Sequence, residues 1–511
     1  MADLVVCCDG TWQVAVDRSN VALLYEALDD SLDKHYVPGV GTGDLLDRIR
    51  GGITAAGLSR SLIDGYTFLV EKYRPGDRIS VFGFSRGAYT ARSLAGMVGT
   101  VGIIDPAGLD DRARSQAIHA AYQHYSDLKA TKKARAGQDD PADPPPAPAS
   151  NGGPRLSYDP TSADTPIEFV GVWDTVGALG IPTYVGVPDV LHSRERYEFF
   201  NVVLDPRILH GRHAVSLDEM RGPFRPTLWD ENDLRGQDIE QVWFPGDHCD
   251  VGGGHRDDTS LSDGALEWMI EQAITAIGLP FKPDFAAKLS PEPTGPLHTM
   301  ATGLIGAVEE IAFQPRPRAT PPIDHTDRLP SVSDSAYQRQ QAALESPYRP
   351  TRTLTPGQTA QVTIAADHGW NATGLYLEAG HYVLDTSGTW RTGVSQCGPD
   401  GIERARVLSA AFTSSLGSIE SGLRALLADP DVEVLGARRE IDQPLMMAMA
   451  RVTNEVSDNR GTITDADQRF AIGLHLEIDV RRPGYLYAYA NDAWGFYGNN
   501  SGAVTIEITR A

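Results

Sequence analysis

Cysteine is scarce: the chain of 511 residues has only Cys7, Cys8, Cys249 and Cys397. A neighbouring pair and two distant single residues make neither a metal-ligand spacing nor a disulfide framework, so reduced thiols are expected. Long apolar runs are missing as well; no stretch approaches the roughly 18 residues of a membrane-spanning helix. The opening MADLVVCCDGTW has no basic segment ahead of an apolar one, so a Sec-type leader is not expected and synthesis as a soluble cytoplasmic chain is. Basic side chains are also few, 45 Lys and Arg against 68 Asp and Glu, for a net charge of −23. Such a balance opposes nonspecific binding to nucleic acid or to an anionic membrane, so any lipid contact must be local.

What is present is a chain too long for one ordinary core, with 41% hydrophobic residues to build more than one. Apolar strands alternate with helical patterns in the first part: LVVCCDGTW (4–12) reads as a buried strand, SRSLIDGYTFLVEKYRPGD (59–77) as an amphipathic helix closed by Pro75-Gly76, and Ile79 to Phe82 as the next strand. That alternation predicts a parallel α/β sheet with reactive groups at the carboxyl ends of its strands. The pattern breaks over 129–165, where KATKKARAG precedes six prolines between 141 and 154, and a mobile insertion is expected there. From Ala276 to about Arg352 helical pieces mix with the proline-rich QPRPRATPPIDH (314–325), and from Thr353 alternating β-strands take over. A domain boundary is therefore placed near 350, giving units 1–350 and 351–511. GLYLEAGHYVLDTSGTW (374–390) and RPGYLYAYANDAWGFYGNNSGAVTIEITR (482–510) predict a C-terminal β-sandwich, with a helical insertion over about 405–430.

Three loops carry candidate chemistry. VFGFSRGAYTAR (81–92) runs from a strand through Gly83-Phe84-Ser85-Arg86-Gly87 into helix-compatible residues. This is the order of a nucleophile elbow, in which glycines on either side let strand and helix approach closely and lift the serine Oγ above the sheet. IEFVGVWDTVGALG (167–180) is an apolar strand ending at Asp174, suited to orient an imidazole or simply to cap a turn. QVWFPGDHCDVGGGH (241–255) ends a strand in a glycine-rich loop with Asp247, His248, Asp250 and His255, which could serve a base or bind a metal. Ser85, Asp174 and His248 follow the chain order Ser, Asp, His of α/β hydrolases, each after a separate strand. His255 is second choice for the base, while His210 and His213, on an expected helix, are assigned structural hydrogen bonds. Asp9 alone lacks the companion carboxylates of a phosphatase site.

CCDGTW, PGVGTG (38–43), GFSRGAYTAR, FVGVWDTVGALG, HAVSLDEMR, VWFPGDHCDVGGGH and LSDGALEWM together resemble the catalytic domain of the α/β hydrolases that include the first family of type VI secretion lipase effectors, over about 3–350. The resemblance implies an esterase, with phospholipase A activity known among secreted members. It makes Ser85 the nucleophile, Asp174 the orienting acid and His248 the base, with no metal required. His255 departs from it, standing where an aromatic such as Tyr is expected. The oxyanion donors expected are the N–H of Arg86, after the nucleophile, and the Gly10-Thr11 turn. Separately, NDAWGFYGNNSG (491–502) and the GTW turn resemble the bacterial galactose-binding calcium lectin with a small β-sandwich. Carried over, Asp492, Asn499, Asn500 and the Phe496 carbonyl would be hard oxygen ligands for Ca²⁺; a metal-free Asn/Gly-rich hairpin is the alternative.

The function expected is therefore a serine ester hydrolase, of phospholipase or lipase type, with a C-terminal domain that recruits it to a galactose-type glycan or glycolipid. A non-lipid carboxylesterase, or a carbohydrate-binding protein with a scaffold hydrolase domain, remains open. A secretion machine or an immunity protein would be the partner of an effector.

Overall fold

The computed structural model describes residues 2–10, 18–39, 55–135, 154–162, 164–177, 204–231, 236–299, 306, 310, 313–402, 439–440, 442–457 and 463–511. Thr11 and the segments 136–153 and 405–430, for which the sequence raised expectations, lie outside them.

Alternation within the first strand sets the architecture. In β1 (Asp3–Cys8), Leu4, Val6 and Cys8 enter one buried cluster, and Val5 and Cys7 enter another on the opposite face. A strand buried on both faces belongs inside a covered parallel sheet. It is flanked by β2 (Asp33–Val37) and β3 (Arg78–Phe84), and β4 (Ile167–Trp173), β5 (His210–Ser216) and β6 (Asp238–Phe244) continue the sheet in the order β2-β1-β3-β4-β5-β6. All five pairings are parallel. Helices α2 (Ala55–Lys72), α3 (Ser85–Val101) and α4 (Asp111–Arg135) cover the first face, through residues such as Tyr66, Leu94 and Tyr125. Helix α1 (Asn20–Ala27), the short α5 (His248–Gly252) and α6 (Ser260–Ile277) cover the second, around Leu24, Val251 and Leu266. Beyond β6, Ile323, Val332 and Tyr337 pack on Val215 and Trp243, and Trp243 exchanges backbone hydrogen bonds with Ser331 and Ser333.

Two expectations change. His210 and His213 lie on strand β5, not on a helix; a short apolar run does not distinguish the two periods, and the slot between β4 and β6 decides. Part of 129–165 is regular structure, because α4 continues to Arg135 and Leu156–Tyr158 pairs with Ile103–Ile104, burying Tyr158.

After α7 (Asp334–Gln341) the chain changes to antiparallel strands. Asn371–Leu377, Gly484–Ala490, Ala448–Thr453 and Gln468–Ala471 form one sheet; Ser395–Cys397, Gly380–Thr392, Asn500–Arg510 and Thr359–Ala365 form another, with His475–Val480 also on Gly380–Thr392. One apolar cluster takes Ala450, Leu486 and Ala488 from the first sheet and Leu384, Ile506 and Ile508 from the second. The alternation in GYLYAYA sends its tyrosines to the opposite face, where the Tyr485 hydroxyl accepts from the Ile323 N–H at 2.8 Å.

The junction of β3 and α3 is closely packed. A Cβ on Gly83 would lie 2.5 Å from the Gly87 carbonyl oxygen and 2.7 Å from Ala88 Cα, and one on Gly87 would collide with the carbonyls of Cys8 and Asp9. Backbone cannot retreat as a side chain can. Gly87→Ala is expected to destabilise the protein by about 1–3 kcal/mol, read as a fall in thermal midpoint; an unchanged midpoint would show that this crossing is not tight.

Candidate active site

Every strand with candidate chemistry delivers it at its carboxyl end, as expected for an open parallel sheet. Ser85 is the first residue of α3 and has φ 57°; Asp174 follows β4 at φ 35°. Non-glycine residues rarely adopt such angles, and the surrounding structure must hold them there. Both are buried, Ser85 at 4% and Asp174 at 0% exposure.

His248 does not lie in a loop, as the glycines suggested, but begins α5. Asp247 caps that helix by accepting from the Cys249 and Asp250 amides, while Asp250 accepts from the Asp247 amide. This reciprocal cap explains how a five-residue helix survives after a glycine. The imidazole is wedged between Phe84 and Phe224, with ring centroids at 4.6 and 4.9 Å. Phe84 immediately precedes Ser85, so strand β3 itself forms one wall of the imidazole's seat.

Nδ1 of His248 lies 2.6 Å from Asp174 Oδ2. Sequence reasoning missed the other partner of that carboxylate. Arg318, from the proline-rich stretch, donates to Asp174 Oδ1 at 2.7 Å and Oδ2 at 2.9 Å, and also to the carbonyls of Ser216 and Phe224. Burial opposes ionisation of Asp174, but the Arg318 guanidinium and the His248 contact outweigh it and hold the carboxyl well below the usual carboxylate range. The Ser216 amide adds a hydrogen bond to Oδ1 at 3.0 Å. His213 plays a different part. Burial and the nearby Arg92 depress it to about 3, so it is neutral and its Nε2 accepts from the Thr175 amide at 3.0 Å.

The HAVSLDEMR block is a buttress. Ser216 Oγ donates to the Gly246 carbonyl at 2.7 Å, Asp218 accepts from the Gly246 amide at 2.7 Å, and Glu219 accepts from the His248 amide at 3.3 Å. Arg86 is buried directly after Ser85. The Gly10 amide donates to the Asp9 carboxylate at 2.7 Å, and Asp9 also accepts from Ser19 Oγ and the Tyr36 hydroxyl. Asp9 is thereby a structural anchor for the turn after β1.

In the C-terminal part Asp492 and Asn500 come together, both buried. The Asn500 amide donates to Asp492 Oδ2 at 2.8 Å and to the Ala366 carbonyl at 3.2 Å, while its Oδ1 has no hydrogen-bond partner among the described residues. The Phe496 carbonyl accepts from the Asn499 backbone amide, and Asn499 Oδ1 accepts from Thr392 at 3.3 Å. An unpartnered amide oxygen beside a carboxylate is a donor set that suits a hard cation.

A parallel-sheet α/β chain with a serine at a strained strand-to-helix turn and a buried Arg–Asp–His chain across the same sheet edge falls within a recognisable class. The chain belongs to the family of phospholipase effectors of the type VI secretion system that resemble Tle1: the model described as "T6SS, Phospholipase effector Tle1-like, catalytic domain" matches residues 2–272. It is 30% identical over 254 residues to the uncharacterized protein YEL023C of Saccharomyces cerevisiae, covering 44% of this chain and 32% of that relative, so the chain spans about a third of the relative's length. Among solved structures, the Tle1 effector bound to the VgrG spike of the type 6 secretion system is 12% identical, with 98% of this chain and 70% of that one covered at a TM-score of 0.25. The PllA-like lectin that forms the N-terminal domain of EclA is 18% identical over 30% of this chain and 95% of that one, at a TM-score of 0.19. Among the described residues no helix is long and apolar enough to cross a membrane.

Removing Arg318 leaves Asp174 buried without its cation, a change that costs about 3–5 kcal/mol when one partner of a buried pair is lost. Arg318→Gln should therefore lower the thermal midpoint. A depressed carboxyl contributes stability that is present above its unfolded pKa and lost as pH falls through its folded pKa. The variant's acid-unfolding midpoint should thus lie at higher pH than the parent's. A coincident acid titration by circular dichroism would contradict the assigned role.

Proposed function

We propose that the chain is a serine ester hydrolase that cleaves acyl esters of phospholipids, with Ser85 as nucleophile, His248 as base and Asp174 as orienting acid on an α/β-hydrolase sheet with a nucleophile elbow. The observation that carries this is the 2.6 Å contact of His248 Nδ1 with Asp174. It commits Nδ1–H to the carboxylate, so Nε2 is the nitrogen free to accept the serine proton. Ser85 Oγ attacks the acyl carbonyl as that proton passes to His248; the imidazolium, facing an ionised Asp174, then protonates the leaving lysophospholipid oxygen. Water activated by the same imidazole attacks the acyl-serine and releases the fatty acid. The Arg86 amide is the first oxyanion donor, and the turn at Gly10 and Thr11 the second; in the present conformation the Gly10 N–H is engaged with Asp9. Family membership supports a phospholipid as substrate and delivery by a secretion machine; an immunity protein is proposed as a further partner.

Residues 351–511 are proposed as a β-sandwich recruitment domain for a galactose-type glycan. Asp492, Asn500, Asn499 and the Phe496 carbonyl would hold Ca²⁺, which when bound offers coordination sites to sugar hydroxyls. Half a turn of the Asn500 amide would direct its unpartnered oxygen toward Asp492; Asn499 must leave Thr392.

Ser85→Ala should abolish fatty-acid release from a phospholipid panel followed by mass spectrometry, with its thermal midpoint near the parent's. His248→Asn should lose at least about 10³-fold in turnover. Substantial release by Ser85→Ala would assign the chemistry elsewhere. For the C-terminal part, calorimetry should register Ca²⁺ binding by the full chain, with that heat absent in Asp492→Ala; equal heats would remove Asp492 from any calcium site.

A further inference from the structure

His255 stands where an aromatic was expected. Its ring stacks on His298, with centroids 3.6 Å apart and planes 14° from parallel. Both rings are directed at the same buried carboxylate. His298 Nδ1 lies 2.6 Å from Asp250 Oδ1, and His255 Nε2 lies 3.8 Å from that oxygen and 3.1 Å from Asp247 Oδ1. The far nitrogen of His298, Nε2, lies 3.2 Å from Asp257.

We propose that Asp250, His255 and His298, with Asp247 completing the set, bind one divalent transition cation of the zinc type. The ligand atoms of the first three lie within 4.8 Å of one another. Ligands about 2.0–2.1 Å from a tetrahedral zinc stand about 3.3 Å apart, and the observed 2.6, 3.1 and 3.8 Å separations bracket that value. Bringing both nitrogens onto one ion requires the two rings to turn out of their near-parallel stack. Two imidazole donors favour zinc, copper or nickel over calcium or magnesium, which take oxygen. Asp257 stands where the outer carboxylate of a carboxylate–histidine–zinc arrangement stands, fixing the His298 tautomer with Nδ1 toward the metal.

Asp247, Asp250 and Asp257 set three carboxylates around the two imidazoles. A single divalent cation engages both rings and offsets the three carboxylates at once. Asp247 and Asp250 form the cap of α5, whose first residue is His248. The cation would thus fasten helix α5, which carries the candidate base, through a contact separate from the Asp174 and Arg318 side.

Full-length protein freed of metal by chelator is titrated with zinc, and separately with calcium, by calorimetry and thermal melting. Parent protein should bind one zinc with a rise in midpoint. His255→Ala and His298→Ala should each weaken zinc binding by at least tenfold, the double variant should lose it, and Asp257→Asn should weaken it by about 10-fold or more. Calcium uptake at Asp492 should be unaffected by the double variant, which separates the two sites. Melts in chelator check that each variant folds, and His298→Asn, which can still hydrogen-bond Asp250, replaces any that does not. Zinc affinity equal in parent and double variant, or loss of zinc in Cys249→Ser alone, would overturn the site.

Discussion

The structure depends most on one buried carboxylate. Asp174 sits at the end of the central strand β4 with no exposure, at a positive φ, and with four hydrogen-bond donors around it: both arms of Arg318, the Ser216 amide and His248 Nδ1. An unpaired charge there would be strongly unfavourable. The neighbouring elements are arranged to prevent that. Ser216 ends β5 and ties the turn at Gly246 to the same point, and His213 fixes the next amide of the chain at Thr175. In the proposed mechanism the acid is consequently not an independent part but the place where β4, β5, α5 and the segment after α6 meet.

That last segment gives the C-terminal sheets a bearing on the site. Arg318 is flanked by Pro315, whose carbonyl accepts from Trp370 Nε1 at 2.8 Å, and by Arg316, 3.4 Å from Asp467. A little further on Ile323 is bonded to Tyr485. The guanidinium that neutralises Asp174 is therefore held on a strap pinned to the antiparallel sheets on either side of it. Prolines suit such a strap, since a chain with few accessible conformations loses less entropy on being fixed. The tyrosine face of GYLYAYA is covered for the same reason: it is the surface on which the strap and Arg349 rest.

Much of this was legible in the sequence because it depends on local pattern. Alternating strands and helices pointed to the parallel sheet, and glycines around Ser85 marked the crossing that leaves no room for a Cβ. Asp174 and His248 were found because each follows an apolar strand, and the structure puts them 2.6 Å apart across 74 residues of chain. What stayed hidden was long-range. Arg318 pairs with Asp174 over 144 residues, from a stretch whose composition spoke only of proline. His298 meets His255 in the same way, with no motif of its own. The helix expected around His210 and His213 failed for a related reason, since only neighbouring strands could fix its period. Two arginines set among prolines, Arg316 and Arg318, whose burial the sequence does not reveal, were the one available hint.

The proposed chemistry requires Ser85 to be the residue that takes the acyl group. The direct measurement is to react the protein with a fluorophosphonate bearing a long alkyl chain, digest it, and map the modified peptide by tandem mass spectrometry. One adduct is predicted, on Ser85 within VFGFSRGAYTAR, with labelling strongly slowed in His248→Asn and in Arg318→Gln. An adduct on another residue, or none while esterase activity persists, would contradict the assignment.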